Sequence, residues 1–234
     1  VRNTSILRPK PIRGFEKKKV LYLPCDLPSG TLAQTLKRMA RAKRDLGFCS
    51  LYKLNGLSVL FGALGAAAAI LGLEAVIASG AEDIVVLGFC GSLSRRFRIG
   101  DAVGISRAIA DEGTSRHYFP RRRSFLPSPV LAGEIETLAA SLPRGVVVST
   151  DAPYRETRSW LQKSLRRGAD LVDMETSAVF ALAAFRGIRA AALLIVSDEL
   201  FRGRWRTGFS SPLLEERARG VFLPLLGDRT GEPG

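Results

Sequence analysis

The 234-residue chain has little of what metal, disulfide or membrane chemistry needs. Cys25, Cys49 and Cys90 are odd in number, widely spaced and form no Cys-x-x-Cys pair. That excludes a disulfide scaffold and a cysteine-based zinc site, and it suits a reducing compartment, the cytoplasm. His117 is the only histidine, and a lone imidazole is a poor metal site. The longest apolar run, residues 61–73, includes three glycines and is far short of the roughly 20 residues that a membrane helix needs. No apolar stretch lies between a charged start and a small-residue cleavage site, so no secretory signal is expected.

Acidic residues are also scarce, 22 against 35 Lys and Arg, giving a net charge of +13. The excess is concentrated at the start: residues 1–44 hold twelve Lys/Arg against Glu16 and Asp26. A nucleic-acid surface interleaves aromatic rings with its basic residues for base stacking, whereas this stretch offers only Phe15 and Tyr22. Nucleic acid and membranes are therefore not expected partners. With 46% hydrophobic residues the chain can fill a core. Without an internal repeat or a break in composition, it reads as a basic arm over residues 1–19 and one domain over residues 20–228.

Short β-branched runs alternate with helical patterns, the signature of an α/β sheet with crossover helices. Strands are expected at residues 20–24, 84–88, 101–110, 145–149, 171–173 and 190–196, with a hairpin at 48–61 around Asn55-Gly56. Helices are expected at residues 29–44, 63–79, 130–141, 156–167, 176–186 and 212–226. The Pro- and Arg-rich residues 120–129 read as a mobile loop.

Ligands of such sheets collect where strands end. After the strand at 84–88, Gly88-Phe89-Cys90-Gly91-Ser92 reads as a tight turn, or as backbone offering N–H groups to an anion; it is neither GxGxxG nor a Walker loop. Asp111 to Tyr118 gathers acids, hydroxyls, Arg116 and His117, whose imidazole suits surface exposure or acid–base work. Asp151-Ala152-Pro153-Tyr154-Arg155-Glu156 is a stiffened loop that can present a ring and a donor to a flat heterocycle, or an ordinary helix entry with Glu156 near the positive end of the dipole. Asp173-Met174-Glu175-Thr176 opens an apolar helix, so Glu175 is a first-turn acid or a carboxylate aimed into a pocket, where the two hydroxyls of a ribose match its two oxygens. Asp198, in Ser197-Asp198-Glu199 at the end of an apolar strand, suits a general acid or a cap.

Taken together, Gly88 to Ser92, Ile99-Gly100-Asp101, Glu112 to Tyr118, Ser149 to Tyr154, Val172 to Thr176 and Val196-Ser197-Asp198 resemble the nucleoside phosphorylase-I family, over about residues 62–199. That family includes purine nucleoside and uridine phosphorylases and the methylthioadenosine/S-adenosylhomocysteine nucleosidases. The resemblance implies a single α/β domain around a mixed, partly barrel-like sheet and a homo-oligomer, whether dimer, trimer or hexamer. It implies cleavage of a nucleoside N-glycosidic bond with inorganic phosphate as co-substrate, no cofactor and no metal. Met174 and Glu175 match the family's ribose-binding pair, and Asp198 matches the acid that assists a departing purine. Gly88, Phe89, Cys90 and Gly91, Pro153, Tyr154 and Arg155, and Val172, Asp173 and Ser197 fall at substrate-binding positions. Glu112-Gly113-Thr114-Ser115 with Tyr118 is similar to uridine phosphorylases, so purine is favoured only slightly over uridine.

The chain departs from that pattern at the phosphate. Phosphorolytic members commonly carry an Arg where Val86 stands, a Ser or Thr where Phe89 stands, and a Gly-Asp-Pro loop where this chain has residues 24–30. Arg41, Arg44 and the backbone N–H of Gly30 are the substitutes the sequence offers. A nucleosidase using water, or a non-catalytic nucleoside-binding relative, is the alternative.

Overall fold

The computed structural model describes residues 5–138 and 142–227. Residues 1–4 of the arm, the last three residues of the helix expected over 130–141 and the domain end at 228 lie outside them. Along the chain run β1 (Lys19–Leu23), α1 (Thr31–Met39), β2 (Ala42–Asp45), β3 (Ser50–Lys53), β4 (Ser58–Phe61), α2 (Ala66–Ala78), β5 (Asp83–Ser92) and β6 (Ala102–Ala110). A one-turn α3 (Ser115–Tyr118), β7 (Ser124–Phe125), α4 (Pro129–Leu138) and β8 (Arg144–Ser149) follow. Next come a 3₁₀ turn (Pro153–Arg155), α5 (Arg158–Arg166), β9 (Leu171–Asp173), α6 (Thr176–Arg186), β10 (Arg189–Glu199), β11 (Arg206–Thr207) and α7 (Pro212–Leu226). Among the described residues no helix is long and apolar enough to cross a membrane.

One sheet holds all the strands, and β5 is its hub, pairing in parallel with β1 and β10 and antiparallel with β9. Because β10 also pairs with β6, β6 with β8 and β8 with β9, five strands close into a barrel. Strands β1, β4, β3 and β2 extend from β5 as an open wing, while β7 pairs with β6 and β11 with β10. Alternate side chains of β5 sort to opposite faces, as strand geometry requires. Ile84 and Val86 join the core formed with α2 and α6, while Val85 and Leu87 join the core formed with α1, α4 and α7. Burial on both faces explains why β5 and β10 read as unbroken apolar runs. The basic arm enters this packing before β1: Phe15 is buried, and the Ile12 N–H donates to the Ser79 hydroxyl at 2.7 Å.

Four expectations need correction. The helix expected over 29–44 spans only Thr31–Met39. Gly30 precedes it in the left-handed region at φ 74°, and the Asp26 carboxylate caps the helix by accepting the Leu32 and Ala33 N–H groups. Ala40 is extended, and residues 42–45 become an edge strand because they pair with β3, an interaction that overrides their local helix propensity. Second, β5 does not turn at Gly88 but runs on to Ser92, with its backbone engaged by β10 and β9. Third, β10 continues through Asp198 and Glu199, where β11 pairs with it. Fourth, residues 120–129 are not a free loop, since Ser124–Phe125 pairs with β6 and the Phe125 ring is fully buried. Replacing Phe125 by Ala should cost about 3–5 kcal/mol, the usual result for emptying a buried phenylalanine site. Equilibrium urea unfolding checks this; a loss below about 1 kcal/mol would mean that the ring does not anchor the segment.

Candidate active site

A cavity of about 450 Å³ opens where β1, β5, β9 and β10 end, walled by the 3₁₀ turn, the start of α5 and the segment joining β10 to α7. Glu175 lines it. Sequence alone left Glu175 as either a first-turn acid of the helix or a pocket carboxylate, and the neighbouring Asp173 decides between them. Asp173 accepts the Thr176 N–H at 2.9 Å, also takes the Thr176 hydroxyl, and accepts the Ser149 hydroxyl at 2.5 Å. The same Ser149 oxygen accepts the Ser177 N–H at 2.9 Å. With the N-terminus of α6 capped in this way, Glu175 makes no capping bond and lines the cavity.

The Glu175 carboxylate is itself positioned by backbone. One oxygen accepts the Gly65 N–H at 2.6 Å and the other the Met174 N–H at 3.3 Å. Gly65 sits at φ 87°, ψ 151°, a conformation essentially reserved for glycine, and so turns its N–H from the start of α2 toward the carboxylate. Burial, reinforced by the negative charge of Asp173, holds the Glu175 carboxyl above the ordinary range.

Asp198 lines the same cavity. The register of β10 against β5 slips between Val196 and Asp198, a bulge of the kind that re-aims side chains beside active sites. The Asp198 carboxylate accepts the Ser197 hydroxyl at 2.7 Å and the Trp205 indole N–H at 2.9 Å. Burial raises its proton affinity, and those two donors pull it back. Gly91 faces it, and a Cβ there would lie 2.7 Å from Leu200 and 3.0 Å from the Asp198 carboxylate. Close approach, not a turn, is why glycine stands in this strand.

Phe89, Cys90, Gly91, Pro153, Tyr154, Val172, Asp173, Met174, Glu175, Ser197 and Asp198 therefore share one cavity, as expected. Five expected residues do not line it. Gly88 is interior to β5, where a Cβ would meet the side chains of Leu194 and Pro24. Arg155 is exposed on the 3₁₀ turn. The Gly30 N–H is donated to the Leu27 carbonyl and is not free for an anion. Arg41 and Arg44 lie at the edge of the wing, with β4 and β3 between them and β1. The Asp111–Tyr118 segment is elsewhere too: Glu112 is buried as acceptor to the Ser115 N–H and the Ser177 hydroxyl, Tyr118 donates to Glu74, and His117 is exposed. Its likeness to uridine phosphorylases thus says nothing about this cavity.

The sequence reading missed Glu156, Arg158, Arg204 and Trp205, all of which line the cavity. For Glu156 a signal existed. Thr157 accepts the Trp160 N–H and is the cap of α5, a Thr-x-x-Trp start that leaves Glu156 outside the helix. Its carboxyl is raised to about 7, mainly by burial and secondarily by the charge of Asp198. The cavity thiols offer no nucleophile, since burial pushes Cys25 up to about 12 and Cys90 well above its usual value.

A family profile described as the phosphorylase superfamily matches residues 52–225. The chain belongs to that superfamily. Its relatives include a guanosine phosphorylase of Halorubrum lacusprofundi, 28% identical over 172 residues that cover 72% of this chain and 71% of that one. A DeoD-type purine nucleoside phosphorylase of Bacillus cereus is 28% identical over 169 residues, covering 69% and 72%. The solved structure of a Toxoplasma gondii purine nucleoside phosphorylase in complex with immucillin-H shares the fold, with a TM-score of 0.76, 96% coverage of both chains and 18% identity.

In this phosphorylase-superfamily chain, two consequences of the site geometry are measurable. Gly65→Ala meets no atom within 4 Å, so its cost is backbone strain of about 1–3 kcal/mol. Relief of that strain moves the N–H off Glu175, and kcat/KM should fall more than thermal stability explains; an unchanged kcat/KM would mean that this bond does not position the carboxylate. Glu156 binds its proton more tightly folded than unfolded, so its contribution to stability is present at low pH and is lost as pH rises from about 4.5 through about 7. Glu156→Gln should therefore melt above the parent protein at pH 8 and level with it at pH 4, as followed by circular dichroism.

Proposed function

We propose that the protein cleaves the N-glycosidic bond of purine nucleosides by phosphorolysis, giving the free base and ribose 1-phosphate. The observation that carries this is the placement of Glu175, backbone-held, and Asp198, bulge-presented, in one cavity. In such a cleavage the sugar becomes cation-like while negative charge builds on the base. Glu175 accepts the two ribose hydroxyls. Asp198, with Glu156 beside it, stands at the base end and serves the departing purine. Met174 and Val172 pack the sugar and base between them, and Phe89 and Tyr154 offer rings to a flat heterocycle. The guanosine and purine nucleoside phosphorylases among the relatives support the purine.

Phosphate is the co-substrate in this reading, and Arg158 and Arg204 are the cavity-lining cations available to it. One observation favours hydrolysis as a second reading. Val86 is fully buried in the core and Phe89 packs edge-on against Phe222 at 5.7 Å, so neither offers the donor that phosphorolytic relatives of the family place there. A homo-oligomer fits the half-exposed Leu64 at the cavity rim, which a neighbouring copy would cover. The three free cysteines fit the cytoplasm.

The test is a panel of guanosine, inosine, adenosine and uridine with and without phosphate, with ribose 1-phosphate as the product sought. Phosphate-dependent cleavage of the purine nucleosides is expected; equal rates without phosphate, yielding free ribose, would make the protein a hydrolase. Glu175→Gln should slow turnover about 10- to 100-fold, matching the 1.5–3 kcal/mol of a charged hydrogen bond. The loss should be greater for ribosides than for 2′-deoxyribosides, and equal losses would remove Glu175 from the 2′-hydroxyl.

A further inference from the structure

We propose that Glu156 delivers the proton to the leaving purine, with Asp198 acting as the charged partner that keeps the proton there. This rests on the purine-nucleoside reading above and assigns its proton. Asp198, the acid that the family resemblance singles out, is engaged as an acceptor by the Ser197 hydroxyl and the Trp205 indole. Both of its oxygens are thereby occupied as acceptors within the protein, one by each donor. Glu156 is placed differently. It stands just outside the cap of α5 and lines the same cavity, and its carboxyl has no hydrogen-bond or ion-pair partner among the described residues. An unpartnered carboxyl lining the cavity is free to turn toward a ligand.

The charged groups around it fix the direction of its titration. Asp198 on β10 favours the proton, while Arg158 on α5 and Arg204 beyond β10 line the cavity but are exposed and are not among the groups that shift Glu156. Tyr154 on the 3₁₀ turn shares the cavity, and so do the thiols of Cys25 and Cys90, which bear no charge at neutral pH. Asp173 and Glu175 lie at the ribose end, and neither is among the groups that shift Glu156. With its carboxyl raised to about 7, Glu156 keeps its proton to higher pH than an ordinary carboxyl, which suits a general acid.

In the step itself, the Glu156 O–H proton passes to N7 of the purine as the C1′–N9 bond breaks and its electron pair goes to the base. An oxygen of phosphate, or of water if the enzyme hydrolyses, forms the new bond to C1′. Glu156 is left ionised and is reprotonated by solvent.

The experiment measures kcat/KM from pH 5 to 8.5 on guanosine, and at pH 7 on 7-methylguanosine, whose N7 is already alkylated and needs no proton. In the parent protein the guanosine profile should fall above a pH near 7. Asp198→Asn should move that fall to lower pH, because the charge favouring the proton is gone. Glu156→Gln should abolish the fall and lower the guanosine to 7-methylguanosine rate ratio at least about tenfold. A purely structural role for Glu156 would leave the ratio unchanged, and an unchanged ratio overturns the proposal. A fall that Asp198→Asn does not move overturns the pairing, and with it the proposal. If the parent protein cleaves neither nucleoside, the purine reading falls first and takes the proposal with it, which separates the two failures.

Discussion

Asp173 accepts the Thr176 N–H at 2.9 Å and the Ser149 hydroxyl at 2.5 Å, tying the N-terminus of α6 to the end of β8 at the rim of the barrel. A helix start needs its N–H groups satisfied, and with Asp173 and Ser149 doing so, the next carboxylate along the chain is left without that duty. Glu175 is then free to be gripped from the opposite side by the Gly65 N–H at the start of α2. The placement of Glu175 in the cavity thus depends on the α2 and α6 N-termini converging on one barrel edge. That convergence is held by the apolar packing of Ala66, Ala69, Ile70 and Leu73 against the same core as Ala178 to Ala183.

Asp198 is placed by a different constraint. Parallel strands β5 and β10 run together from Asp83 and Arg189 in uniform register until the slip after Val196, and only beyond it does Asp198 reach the cavity. Gly91 leaves the space this needs. The Trp205 indole holds Asp198 from the segment between β10 and β11, so a loop that lines the cavity also positions the carboxyl inside it. Two carboxyls in a mainly apolar wall cannot both ionise cheaply, and the one without donors, Glu156, is the one that keeps its proton.

Much of this was legible locally. The β9 and α6 boundaries follow from Asp173-Met174-Glu175-Thr176 and the left-handed Gly187 that ends the helix, and they agree with the structure residue for residue. What failed was decided at long range. Residues 40–44 carry helix-forming side chains, yet their partner is β3. Gly88 and Gly91 have the composition of a turn, yet they are strand residues admitting neighbours, and no local signal distinguishes the two. Closure of the barrel rests on β10 pairing with β6 and β9 with β5, contacts between segments far apart in sequence. Of the candidate site, Glu175 and Asp198 were visible because their carboxyls stand at or just after the ends of strands. Glu156 was hidden by its apparent place in a helix that the Thr157 cap starts one residue later.

The account stands on the cavity having a ribose end at Glu175 and a base end at Asp198 and Glu156. A crystal structure with 9-deazaguanosine, a carbon-linked nucleoside that cannot be cleaved, tests this most directly. The account predicts both ribose hydroxyls within hydrogen-bond distance of the Glu175 carboxylate, with N7 of the base turned to Asp198 and Glu156. A nucleoside bound with its base against Glu175, or bound outside this cavity, would contradict it.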